Sequence, residues 1–275
     1  MSRTSPTSRT PRAPRALMRR AALPALAATL LVPLVAACGS DDKKDSGASG
    51  DGKKNTTLTV LAAASLTDVF KQAGAAYEKE HPGVTVKFSY AGSQELASQV
   101  RQGVPADALV TADTKTMDGL KSDTETPSVI AKNRLTIVTG KGNPKHVKGL
   151  SDLSKSDLKV VLAAPQVPVG RYSQKVLDKQ HITVKPASQE PNVRAVLTKV
   201  ELGEADAGIV YATDAAVAGD KVATVDVPDE QNAIASYPAA VLKGSKHSSD
   251  AAAFVKWLNT DESQKLLRAA GFQKP

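Results

Sequence analysis

The 275-residue chain is short of the residue types that most often carry chemistry. It has a single cysteine, so no disulfide can form within it. Its four histidines (His81, His146, His181, His247) are scattered, with no cysteine neighbour and no His-Glu-x-x-His pair. No protein-built metal site is expected from them, and they read as surface residues. Aromatic residues make up 4% of the chain, which leaves little to stack on nucleobases. The formal charge of +8 argues for a nucleic-acid partner only until its distribution is read. Of the 36 basic residues, six arginines lie in residues 1–37 with no acid beside them, leaving 30 against 28 acidic residues. The near-neutral remainder excludes an electrostatic nucleic-acid surface. There is no P-loop and no Gly-x-Ser-x-Gly elbow. Ser156 to Lys159 has a Ser-x-x-Lys spacing, but no Ser-Asp-Asn or Lys-Thr-Gly accompanies it, so chance explains it. A long apolar run is also missing: AALPALAATLLVPLVAA is broken by Pro24 and Pro33 and makes a poor membrane-spanning helix.

That broken run has the layout of an export leader. A basic segment ends at Arg19-Arg20, the apolar stretch follows, and LVAAC ends at Cys38. LVAAC resembles the lipobox of bacterial lipoproteins, in which the cysteine is lipidated after small residues admit the signal peptidase. Residues 1–37 are therefore read as a lipoprotein signal peptide. Residues 38–55 are a flexible tether rich in Gly, Ser, Asp and Lys, with no large apolar residue to offset the entropy of ordering. The expected location is extracytoplasmic, held to the outer face of the cell membrane through Cys38.

From Thr56 onward, strand-like and helix-like segments alternate. LTVLAAA precedes a helix at about Leu66 to Lys79, VTVKFSY one at about Gln94 to Gln102, and DALVTA a short one near Met117. LTIVTG and LKVVLAAP precede a helix near Tyr172 to Lys179, and VRAVLTKVELG is helical with Gly203 as its stop. GIVY and KVATVDV read as strands, as does AIASYPAAVL, and two helices follow. This alternation predicts an α/β fold with a mainly parallel sheet covered by helices.

In such sheets ligands bind at the carboxyl ends of strands, beside helix N-termini. Ser65 follows the first strand after three alanines, with Asp68 at capping-box spacing. Ser93 follows the second strand after Ala91-Gly92 and opens the next helix. Each serine alone reads as a helix cap. Two on neighbouring turns, both preceded by small residues, describe a place where an anion can approach free backbone N–H groups. A serine hydrolase would use the same hydroxyls, but no histidine stands near either in sequence.

VLAAASLTD, PADALVTAD, PVGRY, NVRAVLTKVELGEADAGIVYATDA and SYPAAVL, in this order, resemble the molybdate-binding proteins of ABC transporters. The resemblance implies the two-lobed type II periplasmic-binding-protein fold, with 56–132 and 237–275 as lobe 1 and 133–236 as lobe 2. It implies a non-enzyme with no cofactor, whose ligand, molybdate or tungstate, lies in the inter-lobe cleft. Ser65 and Ser93 would give backbone N–H and hydroxyl groups, Val169 and Val193 backbone N–H groups, and Tyr211 its phenol. Val169 stands where the family commonly has alanine, and Gly92-Ser93-Gln94 where it has a run of serines. The partners implied are a permease and its ATPase, served by a monomer. Every group carried over is a donor. A protonated oxyanion such as phosphate needs an acceptor in a buried site, whereas molybdate, tungstate and sulfate do not. A sulfate receptor on the same fold is the alternative.

Overall fold

The computed structural model describes residues 55–275. The expected leader (1–37), Cys38 and the expected tether up to residue 54 lie outside the described residues. The first strand, β1 (Thr56–Ala63), passes through a 3-10 turn (Ala64–Leu66) into α1 (Thr67–Glu80). β2 (Val84–Ala91) leads through Gly92 into α2 (Ser93–Arg101). β3 (Ala108–Val110), α3 (Thr114–Asp118) and the long β4 (Ser128–Gly140) follow. Next come β5 (Val160–Ala163), α4 (Pro168–Lys179), β6 (Ser188–Glu190) and α5 (Val193–Glu201). β7 (Ala207–Tyr211), α6 (Ala212–Ala218), β8 (Val222–Asp226) and β9 (Ile234–Val241) precede α7 (Ser248–Trp257) and α8 (Asp261–Ala269).

The helices form where apolar spacing gives them one face to bury. Val193, Val196, Leu197 and Val200 follow a helical repeat and are the buried residues of α5. The chain turns off beyond it at Gly203, whose φ of +70° is the left-handed region that glycine reaches without cost. Under α1 and α7, Tyr77 meets Phe254 edge-on at 5.0 Å and Trp257 at 5.4 Å. The few aromatics of the chain are thus spent largely on packing, a use worth more per residue than any aliphatic contact.

The sheet order is β2-β1-β3-β9-β4-β7-β5-β6, with β8 on a second edge of β4. The expectation of a mainly parallel sheet needs refinement. β1 pairs in parallel with β2 and β3, and β5 with β6 and β7. Every antiparallel pairing involves β4 or β9. These two are the strands that link the halves of the sheet. Ser128 to Arg134 of β4 pairs with β9, whereas Leu135 to Gly140 pairs with β7 and β8. Asn232, just before β9, fixes that switch by accepting the Leu135 N–H at 3.0 Å and donating to the Leu135 carbonyl at 2.9 Å. The first half of β4 and the short β6 are strands that the sequence pattern did not mark. Three of the histidines are exposed, while His81 is half-buried and stacks on Tyr77 at 3.9 Å.

Candidate anion-binding site

β1 and β2 are parallel and in register to their last residues, Ala63 opposite Ala91. Their carboxyl ends therefore stop at one level, and the turns carrying Ser65 and Ser93 lie side by side. Both serines are buried, at 3% and 1% exposure. Neither caps its helix through its hydroxyl, which corrects the capping-box reading of Ser65 and Asp68. The 3-10 turn moves the start of α1 to Thr67, and Ser65 Oγ instead meets the Tyr237 hydroxyl at 2.9 Å. Ser93 is the first residue of α2, and its Oγ accepts the Ala112 N–H at 3.0 Å. Neither hydroxyl has a histidine partner, so no nucleophile-and-base pair is assembled.

The facing wall comes from the other half of the sheet. α4 starts at Pro168, where a missing N–H costs nothing. A Cβ on Gly170 would stand 2.1 Å from the Ala164 carbonyl oxygen, so only glycine lets the first turn of α4 lie on the end of β5. At the start of α5 the Asn192 side chain accepts the Ala195 N–H at 3.0 Å, leaving the N–H of Val193 without that cap. Tyr211 ends β7 and opens α6, its backbone N–H held by Asp214 Oδ2 at 3.3 Å.

Ser65, Ser93, Val169, Val193 and Tyr211 line one small cavity, closed further by Ala63, Ala64, Gly92, Ala112 and Asn192. Four helix or 3-10 starts, those of the turn at Ala64 and of α2, α4 and α5, thus line it, where first-turn N–H groups lack an intrahelical acceptor, and Tyr211 lines it from the end of β7. No Lys, Arg, Asp or Glu side chain lines the cavity. The nearest charges are bound to one another. Arg171 Nε donates to Asp113 Oδ2 at 2.9 Å and its Nη2 to Thr116 Oγ1 at 2.7 Å. Arg194 lies 2.7 Å from Asp68 and 2.6 Å from Asp214. Burial pushes the Asp214 carboxyl up to about 6 against the opposing pull of Arg194.

The Tyr211 hydroxyl is buried and has no hydrogen-bond partner among the described residues. Its phenol is raised well above the ordinary value by burial first and by the nearby Tyr237 and Tyr172 next, so it keeps its proton. A buried polar group left without a partner costs about 1–3 kcal/mol. A phenol held there, amid N–H groups and hydroxyls, is a donor waiting for an acceptor that the protein does not supply. The chemistry of the cavity is that of an anion receptor.

The profile of the bacterial extracellular solute-binding proteins matches residues 58–273. The chain belongs to this family. The molybdate-binding protein ModA of Mycobacterium tuberculosis is 37% identical over 253 residues, covering 91% of this chain and 97% of that protein. Two solved structures show the fold. The Azotobacter vinelandii periplasmic molybdate-binding protein superposes with a TM-score of 0.66 at 20% identity, covering 79% of this chain and 99% of that one. The sulfate-binding protein SubI of M. tuberculosis gives 0.71 at 23% identity, covering 80% and 87%. This is the two-lobed α/β architecture of periplasmic binding proteins. Members of the family are extracellular solute-binding proteins.

Sequence reasoning passed over the groups behind the cavity. Asn192 was legible as an N-cap before an apolar helical run. Tyr237, Asn133, Arg171 and Arg194 carried no local signal for the site, because each makes a contact with a residue more than 50 positions away.

Proposed function

We propose that the protein is an extracytoplasmic receptor for molybdate, and for tungstate of the same shape and charge, that delivers the oxyanion to an ABC importer. The observation that carries this reading is the buried, unpartnered Tyr211 hydroxyl in a cavity lined by donors and by no charged side chain. The 37% identical mycobacterial relative, a molybdate-binding protein, supports the choice of ligand. Ser65 and Ser93 donate from one wall, Val169, Val193 and Tyr211 from the other. A dianion is stabilised there by oriented N–H dipoles in a site that excludes water, without a lysine. Because the ligand touches both walls, binding favours closure of the lobes, residues 56–132 with 237–275 against 133–236. The closed form docks on a permease served by an ATPase. The protein acts as a monomer, tethered by lipid on Cys38.

A thermal-shift screen with molybdate, tungstate, sulfate and phosphate tests the reading. Molybdate and tungstate should raise the melting temperature at concentrations where phosphate does nothing. Equal stabilisation by sulfate would make the protein a general sulfate-type receptor. Labelling of Ser65 or Ser93 by a fluorophosphonate would support a hydrolase instead.

A further inference from the structure

A line of hydrogen bonds runs behind the cavity wall, from the linking strands to Ser65. The Asn133 amide is pinned at both ends: Oδ1 accepts the Arg134 N–H at 3.0 Å, and Nδ2 donates to Thr213 Oγ1 at 2.8 Å. This orientation turns Nδ2 toward the Tyr237 hydroxyl, 3.4 Å away. An amide nitrogen only donates, so the phenol oxygen accepts in that contact. Tyr237 is fully buried, and the remaining polar atom in reach of its hydroxyl is Ser65 Oγ at 2.9 Å. Were Ser65 the donor there, the phenol proton would be buried with no acceptor. Tyr237 therefore donates to Ser65. Ser65 Oγ has no other acceptor within reach among the described residues, so its own proton turns to the cavity. Ser93 is set by the same device, since its oxygen already accepts from the Ala112 N–H at 3.0 Å.

We propose that Tyr237, oriented by Asn133, is a specificity-determining positioning residue. It holds the Ser65 hydroxyl as an obligate donor, so that the site takes fully deprotonated tetrahedral dianions and rejects those that carry a proton. The inference rests on the oxyanion-receptor reading above. Tyr237 and Asn133 lie on β9 and β4, the strands that join the two halves of the sheet. The donor set is thereby fixed from the two linking strands, by Tyr237 and Asn133 at the boundaries of the lobes.

The test is calorimetric titration of the full-length protein with molybdate, sulfate and phosphate, at a pH where phosphate is protonated. In Tyr237→Phe the Ser65 oxygen is free to turn a lone pair to the ligand. Molybdate and sulfate should bind several-fold more weakly while phosphate gains, and the sulfate-to-phosphate affinity ratio should fall by about tenfold. Asn133→Ala frees the Tyr237 oxygen to accept from Ser65 and should lower the same ratio, so the test survives if either variant folds poorly. Ser65→Ala removes the hydroxyl altogether and should weaken binding without lowering the ratio. A uniform loss for all three anions in Tyr237→Phe and Asn133→Ala, or an unmoved ratio, would overturn the relay and leave the receptor reading standing. Wild-type protein that binds none of the three would remove both.

Discussion

Arg194 Nη1 lies 2.7 Å from Asp68 Oδ2, and this pair joins the two walls of the cavity. Arg194 belongs to α5, which packs on β5 and β7, whereas Asp68 belongs to α1, which packs on β2. The same guanidinium holds Asp214 Oδ1 at 2.6 Å within its own wall. The two contacts differ in worth. Asp68 is 41% exposed as a side chain although its Oδ2 is covered, so its pair is partly screened and contributes about 1 kcal/mol, while Asp214 has no exposure at all.

Asp68→Asn and Arg194→Gln should therefore behave differently. The first should leave stability within about 1 kcal/mol and weaken anion affinity by no more than about fivefold, by loosening the closed form. The second leaves a buried carboxylate without its partner and should cost about 3–5 kcal/mol. Urea denaturation of both variants checks this. Equal losses of stability would mean that the Asp68 contact, not Asp214, carries the arginine's contribution.

Asp214 also gives the fold a pH dependence of defined sign. Its folded-state value, pushed up to about 6 by burial, lies above the 3.8 of a free carboxyl. The folded state then binds the proton more tightly than the unfolded chain. The resulting stability is fully present below the unfolded value and is lost as the pH rises through about 6. Relative to Asp214→Asn, the wild type should gain stability on going from about pH 7 to about pH 5. Denaturation curves at both pH values decide it, and a constant gap between the two proteins would show that Asp214 does not titrate in this range.

At Gly92 the two walls approach closely. A Cβ there would stand 2.4 Å from the Pro191 carbonyl oxygen, and Gln94 Nε2 already donates to that oxygen at 2.8 Å. Gly92→Ala should hold the walls apart and weaken molybdate binding by about tenfold or more, with little change in the melting temperature of the unliganded protein. Unchanged affinity would mean that this approach is not needed for binding.

Much of this was legible in the sequence, for a physical reason. The cavity is built largely from turns, and two of them are written locally: Ala62 to Ser65 and Ala91 to Ser93 each announce a strand end and a helix start, whereas Val169, Val193 and Tyr211 entered only through the family resemblance. The apolar periods of α1, α2 and α5 placed those helices to within a few residues. The first half of β4 did not announce itself, because SVIAKNR mixes buried and polar positions that only its pairing with β9 explains. The pairings Ser65–Tyr237 and Arg194–Asp68 were hidden for the same reason. The first joins residues separated by the whole excursion into the second half of the sheet, the second joins one half to the other, and no local rule foresees either. Local rules also misassigned Ser65, whose hydroxyl had two uses open to it, capping or pairing across the fold, and takes the second.

The leader yields a prediction of its own. Cys38→Ala removes the sulfur on which lipid is proposed to be placed, and the protein should then be released into the medium. Fractionation of expressing cells checks it, and full retention on the membrane would end the lipid-anchor proposal.

The most direct test of the central claim is a competitive calorimetric titration of the full-length protein with molybdate, repeated on Ser65→Ala. The claim predicts one molybdate per chain, bound more tightly than sulfate, and in Ser65→Ala a loss of about tenfold or more in affinity alongside a lowered melting temperature, because the buried Tyr237 hydroxyl loses its acceptor. Molybdate that binds no better than sulfate, or a Ser65→Ala protein that binds molybdate normally, would contradict it.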